Sequence, residues 1–537
     1  MTGFLFLYGM PGSGKSTVGK TLADNLNLPF YDLDREIEQS SGKSVWQIFA
    51  DEGEDGFRRR ETEALKHLIG QKSGIVSLGG GSLLAAENRT AVEAAGCVVV
   101  LDASLPVMQA RLQADPQQRP LLAGELNTKL PTLLKDRSEH YRSFENHVDT
   151  GALETWEAAW QVQVLTGLFR VGRMGESGGL SCAYDVRTST GGLAGIGQEL
   201  AERGISGPFA LVTDENIGPL YASRVMDSIR LSGEIIQTIS IPAGEDHKTF
   251  QTVNRLWDFF LSNQLDRRST VVALGGGVVS DLAGFAAATY LRGIRWVGLP
   301  TTLLAMADAS LGGKTGADLP QGKNLIGAFH SPAFVLADPD VLATLPEREF
   351  RSGLAEIIKH GLIADPLLFN ACRELAGLSM EDFRKKPLTE IIRRAMAVKI
   401  RVIEQDPFEQ GSRAVLNAGH TIGHAIELES DYALSHGEAV SIGLAVEAEM
   451  AEELGIAHTG LAGELRTVLE GVGLPVDIPA GMDMEAVLAA VFRDKKRAGN
   501  GVRFALPVDI GEVRHGIHLT LDELRSNHAF HTSFTRS

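Results

Sequence analysis

The stretch Gly9-Met10-Pro11-Gly12-Ser13-Gly14-Lys15-Ser16 decides the fold of the N-terminal part of this chain. It matches the phosphate-loop pattern G-x-x-x-x-G-K-[ST] at every fixed position, and its surroundings fit. Before it, Phe4 to Tyr8 is a short apolar run of buried-strand type; after it, Thr17 to Leu26 reads as a helix. Glycines let backbone N–H groups close on a phosphate, and a helix N-terminus adds a favourable dipole. Gly12, Ser13, Gly14 and Thr17 are therefore expected to line the phosphates of a nucleoside triphosphate. Lys15 would reach the β- and γ-phosphates, and Ser16 would ligate Mg2+.

Outward from the loop, short apolar strands such as Ile75–Leu78 and Val98–Leu101 alternate with amphipathic segments. That alternation predicts a parallel sheet with helices on both faces. The polar, glycine-rich Gly172–Gly179 reads as a linker. A second α/β pattern follows, with strands at Phe209–Thr213 and Val271–Leu274 and a turn at Gly275-Gly276-Gly277. From about Asp340 the pattern becomes helical, over Ala343–Leu362, Leu388–Glu404, Ala418–Leu428 and Gly437–Leu454. The expected order is a phosphate-loop domain at 1–170, a linker at 171–179, an α/β half at 180–339 and a helical half at 340–537.

A length of 537 residues exceeds one ordinary core and agrees with this division. The formal charge of −17 argues against a general binder of nucleic acid or anionic membrane, though not against local basic pockets for small anions. Cys97, Cys182 and Cys372 are odd in number and widely spaced, which offers no disulfide framework and suits a reducing cytoplasm. The apolar N-terminus lacks a basic flank, so it is not read as a signal peptide, and no membrane span is expected.

A phosphate loop alone names no acceptor; its neighbours do. Asp32 and Asp34 are spaced by two and would face the same way from an extended chain, one supporting Mg2+ and the other accepting a hydroxyl proton. Arg58 can form a bidentate carboxylate clamp. Gly79, Gly80 and Gly81 end a strand, where backbone N–H groups could line a ligand. Arg119-Pro120-Leu121-Leu122 lies in a polar stretch suited to a mobile lid. With Gly53 to Glu61 and Arg137 to Tyr141, these motifs make residues 1 to about 165 resemble shikimate kinase. The resemblance implies that Asp34, Arg58, Gly79, Gly80, Gly81 and Arg137 hold shikimate, with Asp34 catalytic. It also implies that Lys15, Ser16 and Asp32 handle ATP and Mg2+, Arg119 is the lid arginine, and Arg111 lies against adenine.

Further on, His420 and His424 share one helix face, His436 follows, and Glu356 and Lys359 share another face. Two or three histidines with one glutamate can make an open Zn2+ site. Arg292, Lys314, Lys323, Lys399 and Arg413 lie near Gly- or Asn-containing segments of an otherwise acidic chain, which suits a substrate carrying phosphate and carboxylate. Asp214 and Asn216 end a strand, as an acidic ribose contact would.

The segment from about 180 to 537 resembles 3-dehydroquinate synthase. The likeness rests on Pro242 to Lys248, Gly275 to Phe285, Pro300 to Thr302, Asp308 to Lys314, Gly322-Lys323-Asn324, Leu345 to Arg348 and the histidine helix. It implies that Glu356, His420 and His436 bind Zn2+ or Co2+, with His424 an acid/base rather than a ligand. NAD would meet Asp214, Asn216, Glu245, Lys248, Gly276, Asp281, Thr301, Thr302, Lys323 and Thr344. Substrate would meet Arg292, Asp308, Lys314, Asn324, Lys359, Lys399, Arg413 and Asn417; of these Lys314, Lys359 and Arg413 would be catalytic, together with His424 and, in the other domain, Arg119. Lys495 and Lys496 match the family's late lysine motif. A bifunctional shikimate-pathway enzyme acting on small molecules is the expectation, with a homodimer through the synthase half. The alternative is an NAD- and metal-dependent polyol dehydrogenase behind a nucleotide-sensing module.

Overall fold

A computed structural model describes residues 3–70, 73–115, 125–172, 183–386, 388–493 and 501–534. Arg119, Lys495, Lys496 and most of the glycine-rich linker lie outside the described residues. The chain forms two compact units, Met1–Arg170 and Val171–Ser537. Val171 is the last residue of the strand Leu168–Val171, so it does not belong to a linker.

In the first unit the apolar run after Gly3 alternates between two cores. Phe4, Phe6 and Tyr8 pack with Leu33, Val76 and Val100. Leu5 and Leu7 pack with Val18, Leu22 and Val99. Burial on both faces is what a central parallel strand requires. Gly3–Tyr8 is indeed the middle of a five-stranded parallel sheet, in the order Phe30–Asp32, Ser73–Ser77, Gly3–Tyr8, Gly96–Asp102, His147–Asp149. The loop leaves this strand and enters the helix Lys15–Leu26, with Gly9, Gly12 and Gly14 at φ 138°, 82° and 94°, conformations that favour glycine.

The expectation for Asp32 and Asp34 needs correction. The strand ends at Asp32, and Asp34 lies in the first turn of the helix Leu33–Ser41, because Leu33 turns fully into the core. The helical stretch Val45–Ile69 opens on a Ser44–Gln47 capping box and is kinked at Gly53, whose φ is 70°. The segment after the kink carries Arg58.

In the second unit the parallel strands run in the order Tyr184–Thr188, Phe334–Ala337, Arg295–Pro300, Thr270–Gly275, Phe209–Asp214, Ile236–Ile241. Thr270–Gly275 and Phe209–Asp214 are buried throughout, which is why they read as continuous apolar runs. An antiparallel pair, Lys314–Leu319 with Gly322–Phe329, leads toward the helical half. That half is built on Glu347–Ala364, Leu388–Gln405, His420–Glu429 and His436–Glu453. The first of these begins at Glu347 rather than Ala343, since Pro339–Thr344 is a 3-10 turn and Pro346 occupies the N-cap. The half is also not wholly helical. Gly501–Asp509 and Glu512–Thr520 form a hairpin whose Val502, Phe504 and Leu519 pack into the same core as the histidine helices. Among the described residues no helix is long and apolar enough to cross a membrane.

Candidate active sites

In the first unit the phosphate loop is held from within. Lys15 Nζ donates to the carbonyls of Gly9 and Met10, both at 2.9 Å. Ser16 Oγ donates to Asp32 Oδ2 at 2.7 Å, so the two groups expected at Mg2+ are already neighbours. Arg111 lies against the loop and its surroundings, reaching Gly12 O at 3.4 Å, Thr150 Oγ1 at 3.0 Å and Thr150 O at 2.7 Å.

The expected acceptor residues converge on the three glycines. Arg137 Nη1 donates to Gly80 O at 2.9 Å, and Tyr141 OH donates to the same oxygen at 2.5 Å. A Cβ placed on Gly79 would lie 3.6 Å from Asp34 Oδ1, and one on Gly81 would lie 2.5 Å from Arg58 Nη2. Asp34, Arg58 and Arg137 therefore gather around the three glycines. Arg58 is aimed by a glutamate that the sequence did not single out as functional. Its Nη1 donates to Glu61 Oε2 at 2.7 Å, while Ser82 Oγ donates to Glu61 Oε1 at 2.5 Å. Glu61 is fully buried.

In the second unit two groups of residues form. The first gathers at the C-terminal ends of the parallel strands, where α/β sheets bind ligands. Asp214 closes its strand by accepting from the N–H groups of Asn216 and Ile217, each at 2.9 Å. Gly276 approaches Thr302, a Cβ there lying 3.1 Å from its methyl. Thr301 is buried after Pro300, and Thr344 is held by Tyr221 OH at 2.6 Å. Lys248 Nζ bridges Asp281 Oδ2 at 2.7 Å and Asn324 Oδ1 at 2.6 Å, with Glu245 at 3.8 Å. Burial opposes the charge on Lys248, but Asp281 and Glu245 raise its pKa; burial pushes the Asp281 carboxyl up in turn. Asn324, expected at the substrate, thus touches Lys248, expected at NAD.

The second group lies among the helices. His420 Nε2 and His436 Nε2 approach the same oxygen, Glu356 Oε1, at 3.4 and 3.3 Å. Both Glu356 carboxylate oxygens are buried without a hydrogen bond, and Lys359 one turn on forms a close ion pair with Oε2. One ligand atom from each of Glu356, His420 and His436 falls within 4.8 Å of the others. A carboxylate and two imidazoles suit zinc-type ions, so the residues fit the expected metal. Burial disfavours the Glu356 charge, yet Lys359 and His420 hold its carboxyl well below the usual range. Burial and Lys359 hold the His420 imidazole well below its usual value. His424 is exposed, one turn beyond His420.

Two other groupings are possible by distance, His424–Glu427–His436 and Asp308–Glu356–His360. A lysine takes a carboxylate in each of these as well, Lys323 pairing with Glu427 at 2.8 Å and Lys399 closely with Asp308, just as Lys359 pairs with Glu356. Lys399 also donates to Asp308 O at 2.7 Å, and burial lowers its pKa despite Asp308. Arg413 is buried and donates to Pro407 O at 2.9 Å. Lys314 pairs with Glu409, and Asn417 closes the 3-10 turn that precedes His420. Arg292 stands apart. It is exposed, and the strand Arg295–Pro300 lies between it and Thr301. Six strand residues separate the two ends by roughly 20 Å.

Comparison with known proteins finds matches for both units. The family model for 3-dehydroquinate synthase matches its N-terminal part at residues 238–352 and its C-terminal part at 353–497. The 3-dehydroquinate synthase of Synechocystis sp. is 46% identical over 333 residues, which is 62% of this chain and 92% of that protein. The chain belongs to the 3-dehydroquinate synthase family. Its N-terminal unit adds a shikimate kinase domain, matched by that family's model at residues 11–165. The chain is thus a kinase–synthase fusion, in that order. The Geobacter metallireducens synthase is 46% identical over 331 residues, 61% of this chain and 91% of that protein. Among solved structures, the 2-epi-5-epi-valiolone synthase of Streptomyces hygroscopicus subsp. jinggangensis, with NAD+ and Zn2+ bound, is 29% identical at a TM-score of 0.61. It covers 68% of this chain and 100% of that one. The synthase family sets aside the polyol dehydrogenase reading.

Three buried carboxylates of this kinase–synthase carried no functional signal of their own in the sequence. Beside Glu61 and Glu427, Glu447 Oε2 accepts from Gly419 N at 2.6 Å and Oε1 from Ile422 N at 3.2 Å. It caps the helix that carries His420 from the helix that carries His436.

Proposed function

We propose that this chain catalyses both reactions through the residues gathered above. These are ATP-dependent phosphorylation of shikimate, and conversion of 3-deoxy-arabino-heptulosonate 7-phosphate to 3-dehydroquinate and phosphate. The observation that carries the synthase assignment of residues is the convergence of Glu356, His420 and His436 beside the buried cations Lys359 and Lys399 in an acidic chain.

In the kinase, Arg58 and Arg137 take the shikimate carboxylate and Asp34 accepts the proton of the attacking hydroxyl as the γ-phosphoryl leaves ADP. Lys15 offsets charge on the β- and γ-phosphates, and Ser16 with Asp32 would hold Mg2+. In the synthase, Asp214, Lys248, Asp281 and Thr302 would hold NAD, and Glu356, His420 and His436 the metal. When bound, NAD supplies a two-electron acceptor restored within the cycle, and the metal supplies Lewis acidity toward a substrate hydroxyl. Lys359, Lys399 and Arg413 supply counter-charge to the substrate's phosphate and carboxylate. His424, exposed beside the ligands, exchanges protons with the substrate.

Two assays on the full chain test this: ADP release with shikimate, and phosphate release with the heptulosonate phosphate and NAD. Lys15→Ala should silence only the first and His436→Ala only the second. Loss of both in either variant, or stoichiometric build-up of NADH in the second assay, would overturn the proposal.

A further inference from the structure

Glu427 lies in the last turn of the helix His420–Glu429, is buried, and has each oxygen committed to a different part of the synthase unit. Oε1 takes Lys323 Nζ at 2.8 Å. Oε2 faces His436 Nδ1 at 3.4 Å, while the opposite ring nitrogen, Nε2, faces Glu356. Lys323 comes from the strand Gly322–Phe329, where its neighbour Asn324 accepts from Lys248 of the nucleotide group. The Lys323 ammonium also lies 4.1 Å from the centre of the Tyr432 ring. One carboxylate therefore joins a strand of the α/β half to an imidazole of the metal group, across 104 residues of sequence.

We infer that Glu427 is a positioning residue: it fixes the ring of His436 through Nδ1, leaving Nε2 for the metal, and ties that orientation to Lys323. The inference rests on His436 being a metal ligand, as proposed above. A carboxylate behind a ligating histidine fixes the tautomer and ring plane and raises the basicity of the ligating nitrogen. Gln at 427 is nearly isosteric but has one accepting oxygen for two donors, and its NH2 group must face Lys323 or His436. Loss of Lys323 leaves Glu427 free to swing, so the two residues act on the metal by one route.

The test uses the full chain stripped of metal. Zn2+ affinity is measured by chelator competition for the unaltered chain, Glu427→Gln, Lys323→Ala and the double variant. Glu427→Gln should weaken Zn2+ binding about 10- to 100-fold. Lys323→Ala should weaken it less, and the double variant should bind no more weakly than Glu427→Gln alone. At saturating Co2+, the visible absorption of Glu427→Gln should change in position and intensity, because ligand geometry sets it; a mere loss of stability would leave the saturated spectrum unchanged. An affinity within threefold of the unaltered chain, with the same Co2+ spectrum, refutes the role of Glu427. Independent, multiplicative losses refute the link to Lys323. His436→Ala separates the premises. If it binds Zn2+ at full strength, the ligand assignment fails and the inference falls with it. If it loses Zn2+ while Glu427→Gln does not, the ligands stand and only the inference is refuted.

Discussion

Replacing Gly81 by alanine isolates the grip of the kinase on its acceptor. An added Cβ at Gly81 would lie 2.5 Å from Arg58 Nη2, 2.9 Å from Cζ and 3.0 Å from Nη1. Ordinary contact begins near 3.4 Å, so the guanidinium must retreat by roughly 1 Å. Gly81 does not sit at positive φ, so its own backbone accepts alanine. Arg58 is constrained, since Glu61 holds Nη1 at 2.7 Å and Glu54 holds Nη2 at 3.1 Å. Displacement therefore removes the geometry of a two-pronged carboxylate clamp without removing its charge. A charged hydrogen-bonded contact is worth about 1.5–3 kcal/mol, or about 10- to 150-fold in affinity. The clamp is made in ground and transition states alike, so the change should appear in the shikimate KM rather than in kcat. The assay is coupled ADP release at varied shikimate and saturating ATP. The KM for ATP serves as a control, and so does the synthase rate of the same preparation. A shikimate KM within twofold of the unaltered chain would refute the placement of Arg58 at the carboxylate.

Three further outcomes follow from the same structure. His420→Ala and His436→Ala should lose bound metal while His424→Ala keeps it and turns over slowly; metal analysis of the three purified proteins decides this, and stoichiometric metal in His420→Ala contradicts it. In the metal-free chain, burial disfavours the His436 charge, but Glu356 and Glu427 push its pKa up to about 9 from 6.5. A raised folded-state value stabilises fully below about pH 6.5 and is lost as pH rises through about 9. The thermal midpoint of the synthase unit should thus fall more steeply between pH 7 and 9.5 than in His436→Asn; equal slopes in scanning calorimetry would contradict it. Finally, a Cβ on Gly443 would lie 1.9 Å from Gly419 O and 2.8 Å from Gly423 N, both backbone atoms of the neighbouring helix region. Gly443→Ala should therefore destabilise the synthase unit by about 3 kcal/mol, with kinase activity preserved; an unchanged melting profile would refute it.

Much of the fold was legible because it is written in local patterns. A strand buried on both faces must be apolar throughout, and Phe4–Tyr8 and Val271–Leu274 are. Strong helical periodicity placed Leu388–Gln405 within a residue or two. What escaped depended on tertiary context. The hairpin at 501–520 alternates weakly, because its second strand is mostly exposed, so its period was hidden. Asp34 was misplaced for a related reason. Spacing by two implies a shared face only if the strand continues, and burial of Leu33 starts the helix one residue earlier.

The histidine cluster was visible in the sequence for a reason that does not extend to its supports. Histidines at 420 and 424 with a nearby third stand out by type and spacing as a candidate metal cluster, while the choice among them came from the family resemblance. A supporting carboxylate has no such signature. Glu427 looks like any glutamate at a helix end, and Glu447 like any in a helix. What distinguishes them is burial next to donors supplied from elsewhere: Lys323 for one, the N–H groups of Gly419 and Ile422 for the other. Glu61 differs in degree only. Arg58 is three residues away, but its second partner Ser82 is 21 away. A buried carboxylate without partners is costly, so each of these glutamates must be met by donors, and the identity of the donors states its task. Glu61 aims a clamp, Glu427 orients a ligand, and Glu447 fixes the helix that bears another. Candidate reacting groups thus show in residue type and spacing, while the groups that would aim them become legible only once the fold has brought their donors together.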